Sequence, residues 1–244
     1  MPVFFLPPEQ LTTSTLSISG PLLDHFRSLR IKVGEEIVVA DGLGSRHHVT
    51  VTALSGRVLQ GRILSSERQP ARAAPSVVLC QALLKGEKLD WVIQKATELG
   101  VDRIVPLVTR HSVVRPQPSR MEHQRSRWQR IALEAAQQSE RWTVPTVDEP
   151  VDCTEVSAVS ASAMKLALVE RSAKTSLAAV PLPVEADHTV LLLIGPEGGW
   201  DEEELRFMAA QGYNTVTLGS RILRAETAAI AALSILQSRL GNLG

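Results

Sequence analysis

Cysteine and net charge are both scarce in this chain of 244 residues. It has only Cys80 and Cys153, and its 26 Lys and Arg balance 26 Asp and Glu. Two cysteines so far apart exclude a disulfide scaffold, and no His or Cys stands at metal-ligand spacing beside them. Both are expected to be reduced structural thiols in a cytoplasmic protein that holds no metal. Zero net charge gives no overall attraction for nucleic acid. No apolar stretch nears the length that spans a bilayer, and residues 1–8 lack the basic start and apolar length of a signal peptide. No membrane partner is therefore expected. The Walker lysine and the spaced glycines of a dinucleotide fingerprint are absent as well.

What is present divides at about residue 72. In the first part, alternating apolar residues recur at 37–40, 48–54 and 57–64, with Asp41-Gly42-Leu43-Gly44 as a strong turn signal. Short strands this close together argue for a small β-barrel, with one short helix over 22–29. Residues 62–76, with Pro70, Pro75 and several alanines, read as a linker.

Beyond the linker the order changes to strand, helix, strand. Residues 77–84 form an apolar run. Leu89, Val92, Ile93, Ala96 and Leu99 then recur at helical spacing before Gly100, and 101–108 is a second buried run. That order predicts a right-handed parallel crossover and an α/β domain over 73–244. Ser119-Arg120-Met121-Glu122 has the form of a capping box opening a helix to about Ser139. His123, Arg127 and Arg130 share one stripe of that helix, which reads either as a solvated face or as a basic contact surface. Eight arginines lie between Arg103 and Arg141 against Glu122, Glu134 and Glu140, whereas acids dominate from Thr146 to Glu204.

The most informative stretch follows a strand expected at 165–169. Thr189 to Ile194 is a continuous apolar run that stops at Gly195-Pro196-Glu197-Gly198-Gly199-Trp200. Asp201 then stands as a helix N-cap with Glu204 three residues on. In open α/β sheets ligands bind beyond the carboxyl ends of strands, where this loop lies. A glycine-rich turn before a helix suggests phosphate, but Asp201, Glu202, Glu203 and Glu204 would repel a polyphosphate. A neutral or cationic ligand held by backbone groups fits better. A second strand over 212–218 leads to another loop at Gly219 and to an Ala/Leu/Ile-rich helix over 225–240. That helix is apolar nearly all round, so it is buried within its own subunit or against another.

The two loops, IGPEGG and LGSRILRAETAA, resemble those of the RsmE-type SPOUT (trefoil-knot) ribosomal RNA uridine-N3 methyltransferases. The blocks QALLKGEK at 81–88, QKATELGV at 94–101 and EAAQQS at 134–139, with Arg141 and Pro145, are similar too. His25, Leu29, Arg30, Val33 and Gly34 match more loosely, and Pro2-Val3 stands where the family carries arginine beside its first aromatics.

The resemblance implies a PUA-like β-barrel RNA-binding domain over 1–72. It implies a knotted SPOUT methyltransferase domain over 73–244, a parallel sheet with helices on both faces. It further implies S-adenosyl-L-methionine as cofactor, ribosomal RNA of the small subunit as partner, and a homodimer. Leu168, Gly195, Pro196, Glu197, Gly198, Gly199, Leu218, Gly219, Ile222 and Leu223 are the expected cofactor-binding residues, and Arg30, Lys85, Arg127 and Arg130 the expected RNA contacts. The implied reaction is methylation of N3 of a uridine in the decoding region of 16S ribosomal RNA.

N3 lies on the Watson–Crick edge, so the base must be splayed out, and its proton must leave as negative charge develops. Arg224 is the candidate to stabilise the uracil or orient the RNA. Glu226 either positions the loop or accepts the proton, or serves only as an acid in a first helical turn. Two alternatives remain: a SPOUT enzyme acting on another RNA position, and an RNA-binding protein without catalysis.

Overall fold

The computed structural model describes residues 3–7, 10–12, 14–156, 163–170 and 173–243. They form two compact units, one of residues 1–71 with 136–144, the other of residues 72–135 with 145–244.

Among the described residues the first unit is a curled five-stranded mixed sheet with one α-helix. Its elements are β1 (Val3–Phe5), β2 (Thr15–Ile18), α1 (Pro21–Ser28), β3 (Glu36–Ala40), β4 (Ser45–Leu54) and β5 (Leu59–Arg68), in sheet order β1-β3-β4-β5-β2. Only β1 and β3 are parallel. The expected turn at Asp41 is made by its own carboxylate, which accepts from the amides of Leu43 at 2.7 Å and Ser45 at 2.9 Å. Two register shifts bend β4 against β5. Gly61 sits where the strands crowd, since a Cβ there would stand 2.5 Å from Val49 Cγ1. The sheet closes over Phe4, Ile18, Phe26, Val39, Val49 and Leu59.

The expected linker at 62–76 is too long, because β5 runs on to Arg68 with Ser65 and Ser66 paired to His48 and His47. Backbone pairing with β4 extends that strand through residues with no apolar alternation, leaving only 69–75 as the connection. The stretch 136–144 belongs to this unit for a reason unreadable from its sequence. Arg46 lies over the Trp142 ring, 3.9 Å from its centroid, and donates to the Glu140 carbonyl.

The second unit is a parallel α/β sheet. It comprises β6 (Ser76–Ala82), α2 (Lys88–Glu98), β7 (Arg103–Val108), α3 (Met121–Gln138), β8 (Thr146–Val147), β9 (Val151–Asp152), β10 (Met164–Leu168), β11 (Thr175–Ser176), β12 (Thr189–Ile194), α4 (Glu202–Ala210), β13 (Asn214–Thr217) and α5 (Ala225–Arg239). The order is β11-β13-β10-β12-β6-β7-β8, with β9 also paired to β7, every pairing parallel.

Strands buried on both faces read as continuous apolar runs, which is why 189–194 is legible as one. Leu191 and Leu193 pack with Leu205 and Met208 of α4. Leu192 points the other way in the pleat, to the face where α5 meets α2. The expected capping box at Ser119 does not form. Gln117 precedes a 3-10 turn over Pro118–Arg120 without a side-chain cap, and with Pro118 at the first position Ser119 is already inside the turn and α3 starts at Met121.

Sheet order also shows how the chain closes. β13 lies between β10 and β11, and β11 belongs to the connection that leaves β10 and returns at β12. The last strand is thus inserted between two made earlier in the chain, and α5 then packs on α2. That strand order is the one a SPOUT domain leads one to expect, and the architecture is that α/β fold.

Candidate active site

The loops after β12 and β13 come together at the carboxyl edge of the sheet. Between them is a cavity of about 240 Å³, with Leu168, Ile194, Gly195, Pro196 and Gly199 on one side and Thr217, Leu218, Leu223 and Ala225 on the other. Its floor is fixed by Trp200, whose indole Nε1 donates to the Leu168 carbonyl at 2.9 Å. Gly195 allows this closure, since a Cβ there would meet the indole at 3.1 Å. The expected backbone freedom of Gly198-Gly199 is needed only at Gly199, with φ of 72°. Gly198 is instead a close-approach position, where an added Cβ would stand 3.0 Å from His111 Cβ.

The helix after this loop starts as expected. Asp201 caps α4 by accepting from Glu203 N at 2.9 Å, and the Glu204 carboxylate accepts from Asp201 N at 2.9 Å. Glu204 is buried, and its other oxygen accepts from Arg110 N at 2.7 Å and from the Cys153 thiol at 3.2 Å. Burial, and then the Glu204 carboxylate, push the Cys153 thiol far above its ordinary pKa. His111 Nδ1 lies 3.1 Å from the Gly199 carbonyl, and Arg110 reaches Glu203 at 2.8 Å. The loop after β7 thus clamps the glycine-rich loop from outside.

A second depression, a groove of about 820 Å³, opens between α2, α3 and the start of α5. Leu223, Ala225 and Ala228 line the cavity, while Arg224, Glu226 and Thr227 line the groove, so one short segment separates the two. Lys88 joins them electrostatically, with Nζ 3.1 Å from Glu197 Oε1 and 3.7 Å from Glu226 Oε2. Burial alone would raise the Glu197 carboxyl. Its own backbone amide, the Lys88 ammonium and the Lys85 amide outweigh that and hold it below its ordinary value. Glu226 Oε2 is buried and has no hydrogen bond. Arg224 is exposed and has no ion pair among the described residues.

Six of the ten expected cofactor residues therefore surround one cavity: Leu168, Gly195, Pro196, Gly199, Leu218 and Leu223. Glu197 turns to Lys88, Gly198 packs on His111, and Gly219 and Ile222 are not part of the lining. Gly219 holds a left-handed φ of 118°, and Ile222 is 56% exposed. Arg224, Glu226 and Arg127 share the groove. Arg127 is held there by Asp90, which also accepts from Trp128 Nε1 at 3.1 Å.

The two arginines of the stripe expected on α3 have separate partners, Arg127 being paired with Asp90. Arg130 reaches along its own helix to Glu134 at 2.9 Å. Lys85 is exposed, and Arg30 closes α1 in the other unit with φ of 57°. Three of the eight arginines in the arginine-rich stretch pair with the acid-rich one, Arg103 with Asp148 at 2.6 Å, Arg125 with Glu149 at 3.8 Å, and Arg110 with Glu203. Lys88, Trp91, Asp90, His111 and Trp200 received no role from the sequence. Trp200 could have been found from its place directly after the glycines. His111 carries no such signal.

Residues 72–237 match the model of a family described as an RNA methyltransferase domain. A ribosomal RNA small subunit methyltransferase E of Synechocystis is 33% identical over 236 residues, covering 96% of this chain and 76% of that one. The chain belongs to the ribosomal RNA small subunit methyltransferase E family. The Bacillus subtilis methyltransferase E is 30% identical, over 90% of this chain and 88% of its own. The crystal structure of the Neisseria gonorrhoeae methyltransferase E, bound to S-adenosyl methionine, superimposes with a TM-score of 0.88 at 32% identity, covering 98% of each chain. The match of both units to a methyltransferase E over nearly the whole chain agrees with the fold read from sheet order. Among the described residues no group of His, Cys, Asp and Glu could hold a metal ion, and no helix is long and apolar enough to cross a membrane.

Proposed function

We propose that this protein methylates N3 of a uridine in the decoding region of 16S ribosomal RNA, giving 3-methyluridine, as a cytoplasmic homodimer that uses S-adenosylmethionine. The cavity fits that cofactor. Apolar walls from Leu168, Ile194, Leu218 and Leu223 suit a flat purine, glycines at the mouth admit close approach to backbone, and Glu170 on the lining suits a sulfonium or a ribose hydroxyl better than a phosphate. When bound, the cofactor supplies an electrophilic methyl group, whose bond to the uracil nitrogen forms as its bond to sulfur breaks and the sulfonium leaves as a neutral thioether.

The observation that carries the reading is Glu226. Its buried, unbonded carboxylate oxygen lies at the segment dividing cavity from groove, with Lys88 beside it and Arg224 on the same wall. N3 of uracil is a nucleophile only once its proton has gone, and the resulting charge spreads onto O2 and O4. Glu226 takes the proton, while Arg224 and Lys88 meet the charge developing on the carbonyl oxygens. Nucleoside mass spectrometry of 16S ribosomal RNA from cells with and without the protein tests this. The expected result is loss of 3-methyluridine in its absence and return with the wild-type chain. An unchanged content of 3-methyluridine would overturn it.

A further inference from the structure

The groove beside Glu226 contains a feature that proton transfer does not require. α2 buries Leu89, Val92, Ile93 and Ala96, yet its largest side chain, Trp91, points into the groove and is 44% exposed. An indole left in water amid charged neighbours forgoes the burial that would ordinarily hold it. The wall around it is built rather than loose. Asp90, beside Trp91 in sequence, accepts from both Trp128 Nε1 and Arg127, so the Arg127 guanidinium is fixed over the same groove. Gln94, one turn along α2, adds an amide.

An aromatic face, a fixed guanidinium, an amide and an unbonded carboxylate together match one kind of ligand: a flat base with a polar edge, attached to a phosphate. We propose that the groove is the pocket for the splayed-out target nucleobase and that Trp91 is its stacking platform. Stacking on an aromatic ring holds any base by its π face, and selection of the base is left to edge groups. Arg127 lies at the groove as a contact for the flanking phosphate. The inference rests on the reading of the protein as an RNA methyltransferase but not on which base it modifies.

The test uses the full chain with Trp91→Leu and Trp91→Phe. Single-turnover methyl transfer is followed against RNA concentration, with cofactor affinity by calorimetry and molecular mass by sedimentation. Trp91→Leu is expected to raise the half-saturating RNA concentration about tenfold, the scale of one lost base stack. Trp91→Phe, which keeps an aromatic face, should restore most of it. Cofactor affinity and mass should not change. An unaltered RNA dependence in Trp91→Leu overturns the proposal. So does a change of mass, which would assign Trp91 to contact with a second copy, or a matching loss of cofactor affinity, which would assign it to packing. A wild-type chain that methylates a different base overturns the proposed function and leaves the Trp91 comparison intact.

Discussion

Lys88 Nζ lies 3.7 Å from Glu226 Oε2, close enough for attraction and too far for a hydrogen bond. The ammonium attracts that buried oxygen without occupying it with a hydrogen bond. Lys88 is also bound to Glu197 of the glycine-rich loop. One ammonium thus links the loop that walls the cavity to the acid that faces the groove.

The first prediction follows from that link. Glu226→Gln keeps size and removes the proton acceptor, so single-turnover methylation should fall about a hundredfold or more. Cofactor affinity should stay within about twofold, because Glu226 lines the groove and not the cavity. Arg224→Ala should show the same split, since a cation at the reacting base matters as charge develops. A loss of cofactor affinity equal to the loss of rate would place either residue in the cofactor site instead.

The cavity wall gives a second expectation. Gly195→Val would drive its side chain into Trp200, with even a Cβ standing at 3.1 Å, and would break the indole bond to Leu168. Cofactor binding measured by calorimetry should be lost, while circular dichroism at 25 °C still reports a folded chain. Unchanged affinity would remove the Gly195 loop from the pocket wall.

Acid should act on the same loop. The carboxyl of Glu197 sits below its ordinary value of 4.5 when folded, so its contribution to stability is present above that value and fades as pH falls through the lower folded value. Glu197→Gln should therefore lower stability at pH 7 by up to about 1 kcal/mol, the scale of a partly exposed ion pair. The difference from wild type should shrink as pH drops below 4.5. Denaturant melts at pH 7 and pH 4 measure it, and an equal difference at both would contradict the assignment.

Assembly has its own test. α5 buries Ala228, Ala229, Ala232, Leu233 and Leu236 within its unit, so Ala232→Glu would probe folding and not pairing. Ile230, Ala231 and Ile235 remain partly exposed on the other side. If a second copy covers that side, Ile230→Asp should halve the sedimenting mass at micromolar protein while leaving the thermal melt nearly unchanged. A wild-type chain sedimenting as a monomer would refute the homodimer.

Local physics made part of this molecule readable from its sequence. The apolar run over Thr189–Ile194, the stop at Gly195-Pro196, the Asp201–Glu204 capping box and the helix beginning at Ala225 each depend on a window of a few residues. In such windows periodicity and capping chemistry decide the conformation. The tertiary structure decided the rest. Nothing local tells that Lys88 meets acids 109 and 138 positions away. Nor does it tell that Asp90 joins Arg127 to Trp128, or that Arg46 holds the stretch after α3 in the first unit. The division of residues 223–227 between cavity and groove is of the same kind. These follow from which segments the parallel sheet brings together and which way each side chain then points, so the loops were legible and the two chambers they separate were not.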